Sequence, residues 1–150
     1  MIEIITKRSK GSKKLGSIAK YTRKAMRRVW FDLGKDLKAS AIKEIARKPK
    51  SGRVYRIRGP SGDVIRHVSS APGETHAEIT GDLRRSLDYK VSGSGETMKF
   101  GYLKNPPPYA AAVEFGTKNM EPRPTLDNAW NDVSSQMERH FKVEMAREFK

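Results

Sequence analysis

Between Ser17 and Pro49 the chain reads as one helical segment too long for the domain that must hold it. Ser17 is a favourable N-cap and Pro49 a stop signal, so a helix is expected over residues 17–48. About 31 residues at 1.5 Å each make ~46 Å of helix. A compact domain of 150 residues is roughly 40 Å across. Such a helix must bend or project. Its sequence supplies a place to bend, because Gly34 costs about 1 kcal/mol relative to Ala inside a helix. The apolar stripe also shifts there. Ile18, Ala25, Met26 and Val29 share one side, whereas Leu37, Ala41 and Ile45 point more than a third of a turn away. Trp30 and Phe31 lie off the first stripe, and either cover the second half of the same core or serve a second packing surface. Lys20, Arg23, Lys24, Arg27 and Arg28 form a basic outer face.

The rest of the chain alternates between hairpin and helix signals. Met1–Thr6 alternates weakly, as a short edge strand would, and residues 1–16 as a whole read as a flexible basic arm. Arg53–Ile57 and Val64–Val68 flank the turn sequence Gly59-Pro60-Ser61-Gly62, which predicts a hairpin. Thr80–Leu87 begins a helical turn capped by Thr80 or Asp82. A second hairpin pairs Leu87–Val91 with Thr97–Leu103, so residues 53–103 are hairpin territory. Residues 109–116 form a short helix ended by Gly116. Leu126, Trp130, Val133, Met137, Phe141, Met145 and Phe149 recur at spacings of three and four, predicting one amphipathic helix over 124–149. The order gives a single α+β domain, 1–150, with a long N-terminal and a C-terminal helix packed on a small antiparallel sheet of hairpins.

Charge is distributed as unevenly as the helix is long. The net charge is +14, yet Met1 to Arg58 holds 19 Lys and Arg against 4 Asp and Glu, and the remainder is close to neutral. That asymmetry points to nucleic acid, an anionic surface or an acidic protein. There is no cysteine, hence no disulfide framework and no thiol nucleophile. No apolar run approaches the ~20 residues of a membrane span, and the Lys-rich start lacks a signal peptide's hydrophobic stretch. Nothing in the sequence argues for export.

Catalytic patterns are hard to find. Gly93-Ser94-Gly95 is a hairpin tip without the Lys-Ser/Thr of a phosphate loop. His67, His76 and His140 show no ligand spacing. Glu74, His76 and Glu78 alternate and could turn one way in an extended loop, but ordinary loop polarity explains them better than a metal. Glu114 has no second carboxylate at fixed spacing for acid/base work. No enzyme, cofactor or metal site is expected. A small basic nuclease would need His67 or His76 in a cluster with Arg and a carboxylate.

Four segments in order resemble the tail-completion (neck) family of long-tailed phages, which includes minor tail and head–tail joining proteins common in prophages. They are Ser69-Ser70-Ala71-Pro72-Gly73-Glu74; Thr80-Gly81-Asp82-Leu83-Arg84-Arg85-Ser86; Tyr109-Ala110-Ala111-Ala112-Val113-Glu114-Phe115-Gly116-Thr117; and Arg123-Pro124-Thr125-Leu126 with Ala129. The match covers about residues 50–130. A proline is usual two residues after Pro-Gly-Glu, where His76 stands. A phenylalanine commonly follows Arg-Pro, where Thr125 stands. The resemblance implies a virion structural protein of the head–tail junction or upper tail. It implies a homo-oligomeric ring of six-fold symmetry, touching tail-terminator, head-closure or tail-tube proteins, with the genome passing through its bore. Its place would be the virion, after assembly in the host cytoplasm. The basic helix face at Lys20, Arg23, Lys24, Arg27 and Arg28 would then meet DNA or an acidic neighbour. The alternative is a stand-alone small basic nucleic-acid-binding protein.

The motif residues also have structural readings of their own. Gly81 and Gly116 suit positive φ, and Pro124 suits the first position of the last helix. Tyr109, Val113 and Phe115 form an apolar face to dock inward. Glu114, if buried, is expected to meet a basic residue of its own or a neighbouring subunit.

Overall fold

A computed structural model describes residues 10–47, 50–59 and 61–148. Met1–Thr6, Pro49 and Phe149 lie outside the described residues. Helix α1 spans Lys10–Ala46, about 55 Å at 1.5 Å per residue. It starts seven residues earlier than expected, so residues 10–16 are helix rather than arm. Lys and Leu are good helix formers, and they outweigh the two glycines in that stretch.

Nor does α1 break at Gly34. Its buried apolar side chains are Ala25, Val29, Leu33, Leu37, Ala41 and Ile45, an unbroken i, i+4 ridge. Four residues turn 400°, so the ridge advances about 40° per step and spirals half-way round the helix. The shifting stripe in the sequence is this spiral. Gly34 serves a close approach instead, because a Cβ there would meet the Tyr89 ring at 2.3 Å.

The ridge lies on a small sheet and a pair of helices. Strands β1 (Val54–Arg58) and β2 (Val64–Val68) pair antiparallel. A short helix α2 (Asp82–Ser86) leads into β3 (Leu87–Val91), which pairs antiparallel with β4 (Met98–Tyr102). The two hairpins form separate two-stranded sheets. Only the second enters the core. Ala41 and Ile45 bury Leu87 and Ala129 with Phe100, Tyr102 and Leu126 around them. Leu33 and Leu37 pack on Val133, with Trp30, Met98 and Phe100 against them. Trp30 thus joins the same core. Phe31, 36% exposed, stands edge-on to Tyr89 with ring centroids 6.3 Å apart.

Helix α3 (Ala110–Phe115) follows, then α4 (Leu126–Val133), a 3₁₀ turn at Ser134–Gln136, and α5 (Met137–Glu148). The single C-terminal helix read from the sequence is therefore two, parted at Ser-Ser-Gln, where serine favours local alternatives to helix. The apolar stripe is also rotated. Val133 is buried, but Trp130, Met137 and Phe141 are 43%, 38% and 38% exposed. What α5 turns to α1 is polar: His140 Nε2 lies 2.9 Å from Asp36, and Glu144 lies 3.2 Å from Arg28. Glu148 pairs with Arg28 and with Lys24. These ion pairs set the rotation of α5, about 60° away from its Met137–Phe141–Met145 ridge.

Gly34→Ala should lower stability by about 1–3 kcal/mol through overpacking on Tyr89, although the same change in an open helix position is favourable. Gly16→Ala, where nothing lies within 4 Å, should instead add up to ~1 kcal/mol. Urea unfolding of the two variants checks both signs.

Candidate functional site

Two of the four resemblance segments, Tyr109–Thr117 and Arg123–Leu126, meet at one buried carboxylate. Glu114 is 4% exposed, because the i, i+4 pair Ala110 and Glu114 forms the inner face of α3. Its oxygens accept the backbone N–H groups of Thr125 (3.1 Å) and Leu126 (2.8 Å) at the start of α4. The Tyr102 hydroxyl donates to it at 3.0 Å. The partner is thus a helix N-terminus rather than the basic residue expected. Helix amides and the macrodipole stabilise an anion there. Burial, together with the nearby Glu114 charge, raises the Tyr102 pKa above its usual range, which keeps the hydroxyl a donor.

Because Glu114 and Ala110 point inward, the residues expected to dock point out. Tyr109 is 45% and Phe115 77% exposed, while Val113 is half-buried. Gly116, at φ 76°, ψ −178°, occupies a region open essentially to glycine alone. It lets Thr117 N donate to Met120 O at 2.7 Å, so the chain doubles back. Arg123 then returns to α3, its N–H on Val113 O and its Nε on Ser70 O at 3.1 Å. Pro124 falls before the cap residue Thr125 rather than at the first helical position.

The Pro72-Gly73-Glu74 loop is tied into the same unit. Gly73 N bonds Pro122 O. Glu74 accepts the Ser51 hydroxyl at 2.6 Å and the N–H groups of Ser51 and Ala71. Those bonds, the Ser51 hydroxyl first, lower its pKa to about 2. Gly81 (φ 80°) caps α2 by backbone shape alone, so neither Thr80 nor Asp82 caps it by side chain. Leu83 and Ser86 are buried, the latter's hydroxyl bonding Leu83 O at 2.8 Å.

His76 and Thr125, the two positions where the sequence departs from the resemblance, touch each other. His76 Nδ1 lies 3.0 Å from the Thr125 hydroxyl, and the two residues are 5% and 0% exposed. Burial, with a smaller effect from Lys50, lowers the His76 pKa to about 4. A polar contact therefore occupies the place where proline and phenylalanine are usual. Among the described residues no group of His, Asp and Glu is placed to hold a metal ion. Ile79, Gly81, Leu83, Tyr109, Val113 and Arg123 line a cavity of about 390 Å³.

The basic face of α1 is largely occupied. Arg23 pairs with Glu96 at 3.7 Å and Lys24 with Glu148 at 3.4 Å. Arg28 holds Glu144 and Glu148. Arg27 stacks over Phe31 at 5.7 Å, with Gly95 of the second hairpin tip against its Cβ. Lys20 is exposed. Sequence reasoning missed this because the acidic partners lie more than 70 positions away.

Glu114→Gln should cost about 2 kcal/mol, because buried amides lose a charged acceptor; urea unfolding measures it, and an unchanged midpoint would contradict the brace. In the pH dependence, an unfolded chain protonates His76 below its ordinary 6.5 while the folded chain holds it neutral down to about 4. Stability therefore falls as pH drops through that window, by up to ~3 kcal/mol, and His76→Asn should flatten the curve there. Glu74, depressed from 4.5 to about 2, adds a second loss between those values that His76→Asn leaves in place.

Comparison with protein-family models, with curated proteins and with solved structures gives no match to this chain.

Proposed function

We propose that the chain is a structural virion protein of the phage head–tail junction or upper tail, assembling as a ring that completes or joins the tail. The observation that carries this reading is apolar surface left uncovered on separate elements. Phe115 and Tyr109 project from α3, and Trp130, Met137 and Phe141 from α4 and α5. Exposed apolar side chains that cluster mark interaction surfaces. Two unlike surfaces on one chain suit a heterologous, head-to-tail contact, which generates a closed ring when the rotation closes. Gly81, Glu114 and Gly116 among the motif residues support the same reading, since each is spent on a turn, a cap or a buried brace. Tail-terminator, head-closure or tail-tube proteins are the proposed neighbours, and the virion the proposed location.

Mass photometry of the purified chain, alone and with tail tubes, should show species of about six chains. Trp130→Glu with Phe141→Glu should abolish them while leaving the urea midpoint within ~1 kcal/mol, as expected for surface positions. A chain that stays monomeric with tail tubes present overturns the reading.

A further inference from the structure

The β1–β2 hairpin carries an arginine cluster that nothing in the fold uses. Arg56 and Arg66 are directly opposite each other in the register, and Arg58 lies two residues along on the same face. All three are exposed. Among the described residues none of the three makes a side-chain hydrogen bond or an ion pair. This contrasts with α1, where Arg23, Lys24 and Arg28 all have carboxylate partners. Like charges directly opposite on a strand pair are unfavourable, and a sheet of only two strands has little stability to spare. Folding recovers nothing for this arrangement. An external anion would.

We propose that the β1–β2 hairpin is a binding arm for the phosphate backbone of duplex DNA, gripped by Arg56, Arg58 and Arg66. A two-residue step sets Arg56 and Arg58 about 6.6 Å apart along the strand, and the facing strand brings Arg66 to about 5 Å from Arg56. Three guanidiniums in one triangle suit a continuous polyanion, which offers phosphates at regular intervals for two-pronged hydrogen bonds. A two-stranded ribbon also fits the ~12 Å major groove. The turn helps. Gly59 and Gly62, the latter at φ 86°, add no side chain to it. Asp63, the hairpin's one acidic residue, sits at that turn and off the strand pair. The other face, with Tyr55, Ile57, Ile65 and His67, is apolar and partly covered, so the arginine face is the one turned outward. A lone chain presents the same three arginines, so the arm is independent of ring formation.

Fluorescence anisotropy of the full chain with a labelled 20-bp duplex, from 50 to 200 mM salt, tests the arm. Each phosphate contact contributes about 0.9 to the slope of log affinity against log salt. Arg56→Gln/Arg58→Gln/Arg66→Gln should therefore flatten that slope by about 3 and weaken binding more than tenfold at low salt. Lys20→Gln/Lys24→Gln should change the slope by less than about 1. Arg56→Glu supplies a check on folding: it places a carboxylate opposite Arg66, so the thermal midpoint should hold or rise while DNA affinity falls. Wild-type slope in the triple variant overturns the proposal. So does displacement of DNA by poly-glutamate at equal charge, which would make the arm a site for an acidic protein.

Discussion

A charge buried inside a small basic domain has to be answered, and the way Glu114 is answered organises the centre of this fold. Its carboxylate accepts two amides at the head of α4 and the Tyr102 hydroxyl of β4. One side chain thereby fixes the distance between α3, α4 and the second hairpin. An unpaired carboxylate at 4% exposure would be among the costliest defects the domain could carry. The three elements must therefore assemble together. With Glu114 turned in, the ridge of α3 is settled. Phe115 and Tyr109 can only face outward, and Gly116 must turn the chain back so that Arg123 reaches Ser70.

Helix α1 answers a different constraint, that of length. A ridge at every fourth residue spirals, so no single flat partner can cover it. The lower end, Ala41 and Ile45, faces Leu87 and Ala129. The middle, Leu33 and Leu37, faces Val133. Further up, the partner is α5, and the contact becomes ionic through Arg28, Glu144 and Glu148. Glu148 meets Lys24, and the second hairpin tip meets Arg23. Docking α5 through charges leaves its Met137 and Phe141 at the flank, where only a further surface can cover them.

Local patterns were legible where a single element carries them. The turn at Gly59–Gly62, the strands at Val64 and Leu87, and the end of α3 at Gly116 all lie where their residue chemistry puts them. Long-range answers were not. That Gly34 makes room for Tyr89 depends on a strand more than 50 positions away. The rotation of α5 depends on Arg28, and a 3.6-residue period gives the width of an apolar face without saying which ridge a charge will claim. Glu114 was marked as needing a partner, yet backbone amides carry no sequence signature, so a cation was the natural expectation. Tyr102 and His76 became part of the centre only through contact with Glu114 and Thr125.

The charge asymmetry takes a different meaning once partners are assigned. The first 58 residues hold all of the excess, but Arg23, Lys24 and Arg28 of α1 are paired with Glu96, Glu144 and Glu148, drawn from the near-neutral remainder. A count by segment cannot see this, because it treats a cation paired across the fold and a cation facing water alike. Subtracting the internal pairs moves attention off the helix face and onto Arg56, Arg58 and Arg66, whose charge the fold leaves unanswered. The two elements differ for a physical reason: Arg23, Lys24 and Arg28 on the helix reach carboxylates distant in sequence, whereas Arg56, Arg58 and Arg66 make no ion pair among the described residues. Charge that folding consumes stabilises the domain; charge that it leaves facing outward is what remains to act on another molecule.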